Sequence, residues 1–169
     1  MKEHFRVHHS PAAESATEAL RRWLGRDLPT QYLAFLQESN GVELGVHDEG
    51  GDCLCLWSAT EVPDMNATYS IQRWLPDTFA IGSDGGGDAI LLDMSAAAEP
   101  DCWPVIRVGF GALAREEFLV QAPSFSVWAA LEFRLVTSQP PAFDLPSSED
   151  RAKDVDLILS KFPAGDEPF

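Results

Sequence analysis

The residues best placed to do chemistry run from Gly82 to Asp88, where Gly82-Ser83-Asp84-Gly85-Gly86-Gly87-Asp88 sets a hydroxyl and two carboxylates among glycines. Successive backbone N–H groups in such a run can face an anion. A phosphate cradle is nevertheless not the expected use. A P-loop needs a Lys-Ser/Thr pair entering a helix, and a dinucleotide fingerprint likewise opens a helix. Here Ala89-Ile90-Leu91-Leu92-Asp93 has strand character and no lysine is near. Asp84 and Asp88 would also repel phosphate. The run reads instead as a tight connection between strands, its glycines supplying positive φ. Gly86→Val is accordingly expected to lower stability, by about 1 to 2 kcal/mol if the position is left-handed.

Two acidic groups, Asp48 with Glu49 and Asp52, and Asp84 with Asp88 and Asp93, offer hard oxygen ligands of the kind calcium takes. Neither has the alternating-acid spacing and closing glutamate of an EF-hand loop, so both read as solvated turns. Cys53 and Cys55 share one face of a strand without a matching pair and with only distant histidines, which predicts small buried apolar residues. Ser83 stands in Gly-Ser-Asp-Gly, which is not a nucleophile elbow. His4, His8 and His9 fall in an N-terminus expected to be mobile, and His47 falls in a turn. Carboxylates are many, yet nothing selects a catalytic pair. No catalytic residue, metal or cofactor is therefore assigned, and an enzyme is not the expected reading.

The elements that hold these residues follow from apolar spacing. Ala16, Ala19, Leu20, Trp23 and Leu24 recur at helical intervals, with Arg21 and Arg22 opposite. A second helix begins at Leu28-Pro29, places Tyr32, Phe35, Leu36 and Ser39 on one stripe, and stops at Asn40-Gly41. The period then changes. Val42 to Val46 and Cys53 to Trp57 flank the polar turn 47–52 and read as a hairpin. Ser58 to Glu61 has capping-box spacing, with Pro63 expected to limit that helix to about one turn before a short helix around Ala67 to Trp74. Strands follow at Phe79-Ala80-Ile81, Ala89 to Asp93 and Val105 to Val108, and a helix capped by Ser124 or Ser126 runs through Phe125, Trp128, Ala129, Leu131 and Leu135.

This order makes residues 1–138 one domain. Residues 139–169 form an acidic tail, joined through the linker Gln139-Pro140-Pro141-Ala142-Phe143. In the tail Val155, Ile158, Leu159 and Phe162 share a face after possible caps at Ser147 or Ser148; the helix is expected to dock back, a free interaction tail being the alternative.

With 169 residues, 45% of them hydrophobic, the chain can bury a sizeable core as one domain. No stretch approaches the roughly 18 to 20 apolar residues of a membrane span, and Met1-Lys2-Glu3-His4-Phe5 lacks the core of a signal peptide. Cytoplasmic location is expected, in keeping with three cysteines, Cys53, Cys55 and Cys102, that cannot all pair. The formal charge of -15 disfavours direct nucleic-acid binding and favours a basic protein partner. The five tryptophans are expected in core or rim.

Taken in order, Leu28-Pro29-Thr30-Gln31-Tyr32-Leu33-Ala34-Phe35-Leu36, Asn40-Gly41, Leu56-Trp57 with Glu61-Val62, and Ile81-Gly82-Ser83-Asp84-Gly85-Gly86-Gly87-Asp88 resemble the Smi/Knr cell-wall-assembly regulator branch of the SUKH superfamily. The resemblance covers Ala16 to Val136. It implies an α+β fold with a twisted, mainly antiparallel sheet packed against helices, and no established enzymatic chemistry. It further implies either an immunity protein of the bacterial kind, binding and neutralising a toxin domain such as a nuclease, or a regulatory scaffold of the fungal cell-wall kind. A ligand-binding domain built on the glycine-rich loop is the alternative of another class, to be decided by whether Asp84 and Asp88 converge on a pocket or metal. For a basic partner the candidate contacts are Asp48, Glu49 and Asp52 in the turn, Asp84 and Asp88 in the loop, and Trp57 as an aromatic anchor if it is not core.

Overall fold

Side chains alternate across a strand, so the run Cys53-Leu54-Cys55-Leu56 can offer only half of itself to a core. In the computed structural model of the protein, which describes residues 3–47 and 53–136, Leu54 and Leu56 are buried while Cys53 and Cys55 stay half-buried on the other face. This corrects the expectation that the two cysteines are core residues. These residues belong to one seven-stranded sheet of β1 (Glu3–His8), β2 (Val42–His47), β3 (Cys53–Leu56), β4 (Thr78–Ser83), β5 (Asp88–Asp93), β6 (Val105–Gly109) and β7 (Leu119–Ala122), in which β4 and β5 are buried on both faces. The strands lie in chain order, each antiparallel to the next. Helices α1 (Glu14–Leu24) and α2 (Thr30–Glu38) precede β2, α3 (Glu61–Thr68) and α4 (Ile71–Trp74) cross from β3 to β4, and α5 (Phe125–Ala130) follows β7. The fold is α+β with an antiparallel sheet.

Four local expectations need correcting. Residues 3–8 are not a loose end; they pair with β2 in continuous register from Glu3 opposite His47 to His8 opposite Val42. Pro63 does not confine α3 to one turn, because it occupies the first turn, where its missing N–H has no intrahelical acceptor to lose. The Ser58–Glu61 capping box does form, the Ser58 N–H donating to Glu61 Oε2 at 2.9 Å and the Glu61 N–H to Ser58 Oγ at 3.2 Å. The next helix begins at Ile71 rather than Ala67, after Ser70 at φ 53°. The last helix, capped by Ser124 Oγ on the Val127 N–H, ends at Ala130 instead of Leu135, because Glu132 and Phe133 turn left-handed at φ 55° and 58°. Residues 48–52, most of the polar turn 47–52, and residues 137–169, which include the whole tail 139–169 with its predicted helix, lie outside the described residues.

The core is an aromatic cluster. Tyr32 and Phe35 of α2 meet Phe125 of α5, with ring centroids 5.1 and 5.8 Å apart, and Phe79 of β4 reaches both Tyr32 and Trp103. Tyr32 is fully buried, and among the described residues its hydroxyl has no hydrogen-bond partner. An unmet buried hydroxyl costs about 1 to 3 kcal/mol. Burial also holds the phenol far above its ordinary ionisation range. The folded state therefore keeps a proton that the unfolded chain loses above about pH 10, so this group makes stability fall as pH rises past that point. Tyr32→Phe is expected to raise unfolding free energy by about 1 kcal/mol at pH 7 and to flatten the alkaline fall. Urea titrations of both proteins at pH 7 and pH 10.5 check this; a less stable variant would mean that the hydroxyl is satisfied.

The sheet is narrowest between β3 and β4, which share only the pairs Cys55 with Ser83 and Leu56 with Gly82. A bond from the Trp57 N–H to the Ile81 carbonyl, at 2.9 Å, extends that join. Helices α3 and α4 lie against β4 at the same place, clamped by Asn66. Its Nδ2 donates to the Val62 and Ala80 carbonyls, and its Oδ1 accepts from the Ala80 N–H and from Gln72 Nε2. A fully satisfied buried amide of this kind fixes one arrangement of helix on strand.

Candidate functional site

The glycine-rich connection between β4 and β5 is closed by the Asp84 N–H donating to the Asp88 carbonyl at 3.1 Å. Gly85 and Gly87 have φ of 73° and 111°, a region that penalises any Cβ. Gly86 does not share it, and a Cβ there would meet only the Asp84 carboxylate, at 3.6 Å. The expected sensitivity of Gly86 thus belongs to its two neighbours.

The loop's carboxylates turn inward. Asp84 Oδ1 accepts the N–H groups of Gly86 and Asp88 at 2.8 and 2.9 Å, the local turn that aspartate favours. Its Oδ2 receives Arg107 Nη2 at 2.7 Å, while Arg107 Nε donates to Asp88 Oδ2 at 2.9 Å. The register explains this convergence. Arg107 stands opposite Ile90 on the neighbouring strand, so Asp88, two residues before Ile90, is its diagonal neighbour on the same face. The side chains of Asp84 and Arg107 are 7% and 18% exposed, and that of Asp88 is 36% exposed.

These distances bear on the two loop acids that the sequence proposed. Asp84 and Asp88 converge on Arg107, which makes the loop a strapped corner rather than an open anion or cation seat. Asp84 has both oxygens engaged within the chain; Asp88 has one oxygen engaged and remains partly accessible. Trp57 is core, 6% exposed, and packs against the apolar interior. Asp48, Glu49 and Asp52 lie outside the described residues. Among the described residues no three of His, Cys, Asp and Glu group so as to hold a metal ion. Burial, then Glu43 opposite it, pushes the Cys55 thiol up to about 11, and the same two causes raise Cys53. Both thiols stay protonated near neutral pH, which makes them poor nucleophiles.

The side chains best placed to meet another molecule are ones that the sequence did not single out. Among the described residues Trp74 is the most exposed large apolar side chain, at 58%, and Tyr69 is 38% exposed. Tyr69 closes α3 and stacks on Phe110 with centroids 3.9 Å apart. Trp74 ends α4, whose Ile71 turns into the core, and Leu75 just after it does the same. With Asn66 and Gln72 holding this corner to β4, the two aromatics are displayed from a fixed mount. Glu61, Asp64 and Asp77 are exposed along the same segment, against one base, Arg73. No nucleophile meets a base here; the arrangement offers aromatic surface and negative charge.

No described helix is long and apolar enough to cross a membrane. The sequence profile of the SMI1 / KNR4 family (SUKH-1) matches residues 11–130, a span that takes in every helix from α1 to α5 and omits β1. No curated protein matches the chain.

Proposed function

The chain belongs to the SMI1 / KNR4 family (SUKH-1), and from that membership we propose that it is a non-enzymatic, cytoplasmic protein-binding domain of the immunity type, which captures and neutralises a basic, nuclease-like toxin domain. The observation that carries this reading is an exposed aromatic corner on a chain of formal charge -15. A nuclease uses Lys and Arg to hold phosphate. An acidic protein that covers or borders such a surface competes with nucleic acid, and its field raises the encounter rate toward ~10⁸ M⁻¹s⁻¹ at low salt. Tryptophan and tyrosine are the side chains from which interface hot spots are most often made. The inward turn of Asp84 supports a contact surface built away from the glycine-rich loop.

Co-expression with a toxic domain encoded beside this chain tests the reading. The expected result is protection of the cell and a purified complex whose association rate falls steeply with added salt. If the chain neither protects nor forms that complex, the immunity reading fails and a regulatory scaffold takes its place.

A further inference from the structure

Among the described residues four arginines lie over aromatic rings, and in three of these pairs the ring is at least partly buried: Arg6 over Phe133, Arg26 over Trp103 and Arg115 over Phe118. Two of these guanidiniums are also tied elsewhere, Arg26 to the Ala98 carbonyl and Arg115 to Asp93. The fourth pair differs on both counts. Arg73 lies 5.2 Å from the centroid of Trp74, an exposed ring. Among the described residues it forms no ion pair.

A guanidinium held by one exposed ring is held weakly, because such a contact is worth only about 0.5 to 1 kcal/mol in water. The ring face is therefore a cation seat whose present occupant is easily displaced. The segment 61–77 that carries it exposes Glu61, Asp64 and Asp77 on a chain of formal charge -15, so a second cation arriving there meets a favourable field.

We propose that Trp74 is the cation-accepting contact of this domain, and that an arginine or lysine side chain of a basic protein partner takes the place of Arg73 on its ring. The proposal rests on the protein-binding reading above and names the contact and the group recognised. Arg73 acts as a placeholder that keeps the indole face covered until the partner arrives, at the expense of some affinity.

The test uses the full chain, labelled with ¹⁵N, and a nona-arginine peptide as probe at low salt. The indole N–H resonance of Trp74 is assigned by its loss in Trp74→Leu. That resonance is expected to move saturably with peptide, while those of the fully buried Trp103 and Trp128 stay in place. Trp74→Leu should weaken binding about threefold or more, the fold-change of one exposed cation–π contact. Arg73→Gln should tighten it by more than Arg22→Gln, which makes the same charge change at an exposed position on α1. Peptide binding that leaves the Trp74 resonance unmoved overturns the proposal, as does equal affinity in Trp74→Leu, or equal effects of the two arginine variants. A toxin complex indifferent to Trp74→Leu would sink this inference and spare the immunity reading. The peptide results without any toxin complex would do the reverse.

Discussion

Gly82→Ala is expected to destabilise the protein by about 3 kcal/mol or more, the upper range for overpacking, out of the roughly 5 to 15 kcal/mol that holds a domain together. A Cβ at this position would stand 2.2 Å from the Cys55 carbonyl oxygen and 3.0 Å from the Leu56 Cα. Both atoms are backbone, so no rotamer change relieves the contact, and β3 must move away from β4. Those strands share only two residue pairs, one of them Leu56 with Gly82 itself. The collision thus falls on the narrowest join of the sheet. In a chain of this size the melting temperature should drop by roughly 10 °C. Gly86→Ala provides the comparison, since its added methyl meets only the Asp84 carboxylate at ordinary contact distance, and its effect should stay within about 0.5 kcal/mol. Thermal unfolding of the two variants side by side checks this. Equal stability in both would show that the strands do not approach so closely.

Arg107→Leu is the second large effect. Removing the guanidinium leaves the 7%-exposed Asp84 carboxylate without its counter-charge, and breaking a buried pair from one side costs about 3 to 5 kcal/mol. Two backbone N–H donors remain on Asp84 Oδ1, and Asp88 can turn toward water, so about 2 to 3 kcal/mol is the better expectation after those compensations. The double variant Arg107→Leu with Asp84→Asn should be less unstable than the sum of the two single changes, because the second removes the charge that the first stranded. Urea unfolding of all four proteins gives that coupling. A cycle that closes to zero would mean that Arg107 and Asp84 do not support each other.

What was legible in the sequence is what short-range pattern governs. The helices around Leu20 and Tyr32, the hairpin of Leu44 and Leu54, and the loop at Asp84 all follow from local spacing and turn chemistry. The capping box at Ser58 was legible for the same reason. What was not legible depends on partners distant along the chain. β1 is a strand because β2 lies beside it. The first turn of α2 is capped by Asp101, which accepts the Thr30 N–H and takes the Thr30 hydroxyl at 2.9 Å from 71 residues away. The site suffered most from this blindness. Trp57 is core and Trp74 is exposed, yet each is a tryptophan beside a leucine, and the packing of α4 on β4 is what tells them apart. Asp84 looked like a surface acid until the register brought Arg107 beside it.

Because the strands lie side by side in chain order, the ladders of β4 to β7 close through short connections, whereas β1 reaches β2 only across residues 9–41 and β3 reaches β4 across residues 57–77. Short closures cost less chain entropy than long ones, and topologies rich in them fold faster. The β4–β7 half of the sheet is therefore expected to form early, with the β3–β4 join completed late. A join completed late, where the two halves of the sheet share fewest residue pairs, is also the place where partial opening under heat or denaturant should begin, well before the aromatic core is exposed.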